Sequence, residues 1–379
     1  MDYSNSPTIR RPTWAEIDLR ALTSNLGIVQ GHIGPGRRMI AVVKANAYGH
    51  GAVKIARRLA ELGVPYLAVA ILEEALELRG AGIELPILLL NGHWSGQEEE
   101  IVCHDLTPAV EDPQKVEVLN QVAERMQKKV RYHLKINTGM TRLGVDWEQA
   151  LSRIELCLQY RWACLQGIFT HLSSSDDMSS PETLRQLERF SRVLEDLAGK
   201  GFIPEWTHAA NSAAVLRWPG SWYDTVRPGL ILYGVNPFDK EPTLLQPLLS
   251  LKTRLMHLRS IRKGTPVGYG CTYTSSRDSV VAAIPIGYAD GYNRLLSNQG
   301  SVLVCGRRVP IIGRISMDLT VIDVTDVPMV QPGQEVVLIG RQGSEEISVS
   351  ELAELCQTIP YEILTGIGQR VPRVFTNAQ

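Results

Sequence analysis

Hydrophobic positions in the first two-thirds of the chain follow two alternating patterns. Short aliphatic or β-branched runs fall at 39–43, 66–70, 86–90, 106–110, 131–136, 164–170, 204–208 and 223–227. Between them lie stretches of helical period, among them 52–62, 72–80, 114–128 and 182–199. In the last of these Leu184, Leu187, Phe190 and Leu194 share one stripe, and Ser180-Pro181-Glu182 offers a capping serine before a first-turn proline. Strands buried on both faces read as continuous apolar runs rather than alternating ones, as these do. Eight β/α pairs over about 200 residues predict an α/β fold, a closed (β/α)8 TIM barrel spanning 12–240. An open doubly wound sheet is the alternative, because periodicity does not show closure.

The pattern changes near residue 240. From Leu248 onward, strand-like runs (SVLVCG, VPIIGRI, LTVIDV, EVVLIG) are separated by Gly and Pro turns, and only 349–357 reads as helix. This predicts a second, mostly-β domain over 241–379. The run 13–19 alternates and fits either domain.

Composition narrows the class. The 379 residues carry 39 Lys and Arg against 40 Asp and Glu, for a formal charge of −1, which argues against a nucleic-acid binder or a polybasic membrane-surface protein. The six cysteines include no CxxC pair, so reduced thiols are expected and a zinc site is not. The N-terminus lacks an apolar h-region, and the longest apolar run, Tyr66 to Leu72, is far short of a membrane span. A soluble, cytoplasmic protein is expected. No HExxH, Walker or dinucleotide glycine motif occurs, so no metal is expected.

In such barrels the reactive groups sit where strands end and the following loops begin. Strand one runs into Lys44, strand six into His171 and strand eight into Arg227-Pro228-Gly229. Strand five is followed by a loop containing Arg142, and strand seven by Asn211-Ser212. A lysine at a buried strand end is costly as a bare ammonium. It can be ion-paired, have a depressed pKa, form a Schiff base, or snorkel out of the barrel mouth. Asn211-Ser212 and Gly229 occupy places where barrels bind phosphate through backbone N–H groups. A lysine beside a phosphate cradle describes a site for pyridoxal 5′-phosphate.

At this point the sequence resembles a known family. AVVKANAYGHG around Lys44 is similar to the cofactor-lysine motif of alanine racemases. So are MTRLG, THLSSSD, ANSAA, RPGLILYG, GYGCTY, IPIGYADG, GRISMD and PYEILTGIGQRVPR, in family order from about residue 12 to 375. The resemblance implies that Lys44 carries the cofactor and that Tyr48, Asn211, Ser212, Gly229, Leu230 and Tyr361 surround its phosphate. It also implies that Arg227 meets the pyridine nitrogen and that His171 packs by the ring and connects to Arg227. Arginine only donates hydrogen bonds, so it would leave that nitrogen unprotonated and disfavour transamination.

Racemisation by proton exchange needs a base on each face of the substrate Cα. By resemblance these are Lys44 and Tyr269, the latter from the partner subunit of a homodimer with shared active sites. Arg142 would bind the substrate carboxylate and the cofactor's phenolic oxygen, with Lys135, carbamylated in some family members, behind it. Met317 and Asp318 would approach the substrate carboxylate from the partner. Asp176, Arg294, Arg314 and Ile359 resemble an access corridor for small zwitterions. Position 316 is Ser, where many members have Cys. The implied reaction interconverts L-alanine and D-alanine for bacterial peptidoglycan. Competing readings are a serine or broad-specificity racemase, a barrel-type decarboxylase of basic amino acids, and a cofactor carrier. The decarboxylases hold phosphate with a glycine triplet, and this chain has no Gly-Gly pair. A carrier has no need of the second domain.

Overall fold

The computed structural model describes residues 11–238 and 243–377. The expected domain boundary at 240/241 and the first ten residues of the N-terminus lie outside the described residues. The first strands are β1 (Thr13–Asp18), β2 (Arg38–Val42), β3 (Tyr66–Val69), β4 (Ile87–Leu89) and β5 (Thr107–Val110). They are followed by β6 (Val130–Asn137), a two-residue β7 (Val145–Asp146), β8 (Ala163–Phe169), β9 (Trp206–His208) and β10 (Thr225–Val226). Strands β2 to β6 and β8 to β10 pair in parallel, and the β10–β2 and β5–β6 pairings close the ring. The barrel is therefore closed, and the open-sheet alternative falls. Every residue of β3, β4 and β5 is buried, which is why these strands read as runs rather than alternations.

The helix Glu182–Gly199 forms, but its buried stripe is Thr183, Gln186, Phe190, Val193 and Leu197, and Leu184 is 55% exposed. Hydrogen bonds draw the face round: Gln186 donates to the His171 carbonyl at 2.9 Å and accepts from the Ser173 N–H at 2.8 Å. The capping position falls on Pro181 rather than Ser180, whose hydroxyl accepts from the Glu182 N–H at 3.3 Å.

Strand β1 settles with the second domain. It pairs antiparallel with Leu249–Arg254 and parallel with Arg373–Thr376, inside a seven-stranded sheet. At its end Asp18 accepts from the Arg20 N–H at 2.8 Å and caps the helix Leu19–Ile33, which leads into the barrel. The expected helix at 349–357 forms as Val349–Leu355. A further helix, Pro360–Gly366, was not expected from the pattern; at seven residues, it is too short for its period to stand out.

The C-terminal segment locks onto the loop after β2. Arg373 donates to the Gly49 carbonyl at 2.9 Å and to the carbonyls of Ile367, Gly368 and Val371 at 2.5–2.7 Å. Gly49 has φ +82°, and a Cβ there would lie 2.3 Å from the Leu364 carbonyl oxygen. Replacing Gly49 by Ala should therefore cost more than the ~1–2 kcal/mol of a left-handed non-glycine residue, read as a lower urea midpoint. The control, Gly31→Ala, lies in the last turn of the helix Leu19–Ile33 with nothing within 4 Å of its added carbon. It should be neutral or gain about 0.5–1 kcal/mol.

Candidate active site

The loop after β2 adopts a conformation that few sequences tolerate. Ala45, Asn46, Ala47 and Tyr48 all have φ near +52°. For residues with a Cβ this costs roughly 1–2 kcal/mol each, and it persists only where the surroundings over-determine it. Here they do. Glu74 accepts from the Ala45 N–H at 2.6 Å, the Asn46 side chain accepts from the Ala52 N–H at 2.7 Å, and buried His50 hydrogen-bonds the carbonyls of Ala47 and Tyr48, both at 2.9 Å. The result places Lys44 and Tyr48 together at the barrel mouth, two and six residues past the end of β2.

They line a cavity of 380 Å³ with residues from other strand ends. Lys135 on β6, Arg142 in the loop that follows it, and His171, Asn211, Ser212, Arg227 and Gly229 come from the barrel. Ile359 and Tyr361 reach in from the second domain, and the Tyr361 ring lies 5.8 Å from that of Tyr48. Asn211 caps the helix Ser212–Arg217, accepting from the Ala214 N–H at 3.0 Å. The Ser212 hydroxyl accepts from the Gly229 N–H at 2.9 Å, beside buried Leu230. Gly229 is needed for space, since a Cβ there would lie 2.4 Å from the Tyr48 hydroxyl oxygen.

The electrostatics are one-sided. Four cationic side chains, Lys44, Lys135, Arg142 and Arg227, line the cavity, and among the described residues no carboxylate does. Burial, then Arg142, lowers the pKa of Lys44, with Glu74 opposing. Burial, then Arg142 and Arg227, lowers Lys135 to about 8. Burial alone lowers Arg227 to about 9. His171 and His208 are held well below the ordinary histidine range by burial and by Arg227, and so stay neutral. Burial, and then the charge of Asp176, raises Tyr361. An anionic ligand with a phosphate and a group to bond to an amine fits this donor set.

Most of the expected residues converge, and some do not. Tyr269 is 72% exposed, between Gly268 and Gly270, and does not line the cavity. Met317 and Asp318 are also outside it and exposed, with Asp318 paired to Arg370 at 2.6 Å. Of the corridor residues, Ile359 lines the cavity and Asp176 acts on Tyr361, whereas Arg294 and Arg314 are exposed on the second domain. Ser316 closes a turn, donating to the Leu319 carbonyl at 2.7 Å. His171 meets Arg227 at 3.4 Å, but His208 meets it more closely, at 2.7 Å. Sequence reasoning missed Glu74, Phe169 and His133, together with Leu90 and Asn91. The last two directly follow β4, so the strand-end rule would have found them.

A lysine-bearing cation cluster at the mouth of a closed barrel, overlaid by a β domain, defines a two-domain class of amino-acid enzymes. Residues 17–237 match the family described as alanine racemase, N-terminal domain, and residues 248–375 match alanine racemase, C-terminal domain. The chain belongs to the alanine racemase family, whose members are isomerases. It is 43% identical over 371 residues to an alanine racemase of Halothermothrix orenii, covering 97% of this chain and 98% of that one. An alanine racemase structure from Clostridium difficile 630 superposes with a TM-score of 0.92 at 34% identity, covering 98% and 97% of the two chains. One from Bartonella henselae, with covalently bound pyridoxal phosphate, gives 0.87 at 35% identity, covering 96% and 99%.

Lys135 provides a test of the charge cluster. Its proton is held more weakly in the folded chain than in the unfolded one. Below about pH 8 both states are protonated, and the fold bears the full cost of burying the charge. That cost declines as pH rises from about 8 towards the ordinary 10.5. In ligand-free protein with an unmodified amine, Lys135→Gln should therefore raise the urea midpoint at pH 7, by up to ~3 kcal/mol in stability, with the gain fading through that window. A loss of stability at pH 7 would show that Lys135 bears no unrelieved charge in the folded chain.

Proposed function

We propose that this chain binds pyridoxal 5′-phosphate through Lys44 and interconverts L-alanine and D-alanine, using Lys44 and Tyr269 of the partner subunit as the two bases. The observation that carries the reading is Lys44 itself. Its amine has a lowered pKa and stands in a cavity of cations that no carboxylate lines among the described residues, in a chain of the alanine racemase family. Bound there, the cofactor would supply an electron-poor ring conjugated to the substrate amine, which acidifies the hydrogen on Cα.

The chain's own residues account for the rest. Tyr48, Tyr361, Asn211, Ser212 and the backbone at Gly229 and Leu230 hold the phosphate end. Arg142, a planar donor lining the cavity with Lys135, would bind the substrate carboxylate and the cofactor's phenolic oxygen. Arg227, which can only donate, would meet the ring nitrogen and leave it unprotonated, which would favour return of the proton to Cα. Lys44 moves that proton on one face, its lowered pKa increasing the neutral fraction that can act as a base.

The opposite face needs a second group. Tyr269, Met317 and Asp318 are exposed and lie outside their own chain's cavity. That supports a homodimer in which each subunit completes the other's site, with Asp176, Ile359 and the partner's Arg294 and Arg314 forming the access corridor. All six cysteines are free, which supports a reducing, cytoplasmic setting. D-alanine from this reaction would supply bacterial peptidoglycan precursors. No helix among the described residues is long and apolar enough to cross a membrane.

A circular-dichroism assay should show L-alanine converting to D-alanine, with serine slower. One methylene or hydroxyl in a pocket is worth only about 1–3 kcal/mol, so equal rates on several amino acids would shift the reading to a broad-specificity racemase. Release of carbon dioxide, or no reaction on any amino acid, would overturn it. Mixing Lys44→Ala with Tyr269→Phe subunits should recover part of the activity that each variant lacks alone. No recovery would place both bases within one subunit.

A further inference from the structure

Arg227 donates from Nη1 to His208 Nδ1 at 2.7 Å, and His208 Nε2 lies 2.8 Å from His133 Nδ1. Both imidazoles are fully buried, and Arg227 is 4% exposed. The space is purpose-built. A Cβ at Gly167 on β8 would lie 2.8 Å from the His133 ring, and Phe169 stacks on His208 at 4.8 Å and 14°.

The order of these contacts fixes where every hydrogen must be. A guanidinium has no lone pair to offer, so His208 accepts at Nδ1. A neutral His208 then carries its hydrogen on Nε2, where the acceptor among the described residues is His133 Nδ1. His133 in turn carries its hydrogen on Nε2. The direction of the whole chain is set by Arg227 and runs away from the cavity. The other terminal nitrogen is tied in the same sense: Nη2 donates to the carbonyls of Thr170 at 2.8 Å and Ala209 at 3.0 Å. Nε is the guanidinium nitrogen without a protein acceptor among the described residues.

We propose that His208, backed by His133, is a positioning residue that fixes Arg227 as a one-way donor towards the cofactor's ring nitrogen and thereby keeps racemisation ahead of transamination. The proposal rests on the reading that Arg227 meets that nitrogen. Transamination is the competing outcome, in which alanine and pyridoxal phosphate exchange amine for ketone to give pyruvate and pyridoxamine phosphate. It takes over when the proton removed from Cα returns to the cofactor's carbonyl carbon instead.

Two measurements test this. Nitrogen-15 NMR of the histidine-labelled holoenzyme should show His208 and His133 with hydrogen on Nε2. Hydrogen on Nδ1 of His208 overturns the proposal, whatever the activity. In turnover assays, His208→Leu should raise pyruvate formed per racemisation event about tenfold, the scale of one lost hydrogen bond to a charged group. The change should be in the direction of Arg227→Glu, with the KM for alanine within about twofold. His208→Asn, which keeps an acceptor oxygen at the Nδ1 position, should restore the native partition. An unchanged partition in His208→Leu overturns the proposal, and if that variant fails to fold the tautomer measurement decides. If the unmodified chain racemises no alanine, the functional reading fails, and the tautomers still report on the geometry.

Discussion

The structure turns on the cost of gathering like charges at one barrel mouth. Lys44, Lys135, Arg142 and Arg227 share a cavity that no carboxylate lines among the described residues. Several kcal/mol of desolvation and repulsion are built into such a cluster, because buried charges without partners are unfavourable. The protein relieves part of this with groups set around the cluster. Glu74 and Glu111 act on the two lysines, and the Phe169 ring lies near both Lys135 and Arg227, at 5.6 and 5.3 Å. What remains is a standing demand for an anion, met only when a phosphate and a carboxylate arrive. Affinity for ligand and instability of the empty site are thus two consequences of one arrangement.

The same economy appears in the backbone. A left-handed turn of four residues that carry a Cβ is unfavourable on its own, yet it sets Lys44 and Tyr48 side by side. It is held by Glu74 from one neighbouring helix and by the C-terminal segment through Arg373 and the close fit of Gly49 against Leu364. Since Tyr361 belongs to that C-terminal segment, the contact that stabilises the turn also brings in the second phenol. The strained loop and the domain seam are one structure, so the site exists only when both domains are folded and docked.

The barrel was legible because its strands are buried on both faces and therefore appear as uninterrupted apolar runs. The second domain was legible only as a change of texture, since its sheet takes β1 from the far end of the chain, and no local pattern shows that pairing. Residues at strand ends could be found by position, which is how Lys44, His171 and Arg227 stood out. Glu74 could not: it sits in the first turn of a helix, where an acidic residue already has an ordinary explanation. His133 was hidden for a related reason. It lies within β6 and so reads as core, whereas His208, at the end of β9 and next to ANSAA, was open to a supporting role from its position, and the fold then sets both in line with Arg227. The shifted stripe of 182–199 has the same origin, since Gln186 is buried by what it bonds and not by its polarity.

The distribution of groups between the domains also bears on mechanism. Every cation in the cavity comes from the barrel, and the second domain contributes only Ile359 and Tyr361 there, while it presents Tyr269 to solvent. A barrel alone could hold an anion, and a carrier would need nothing more. A site that inverts a stereocentre needs proton donors and acceptors on both sides of one carbon, and on the proposed reading Lys44 serves only one of them. On the proposed reading, the second side would be supplied by a group that approaches the mouth from outside, and exposed Tyr269, between two glycines, has suitable chemistry for that role.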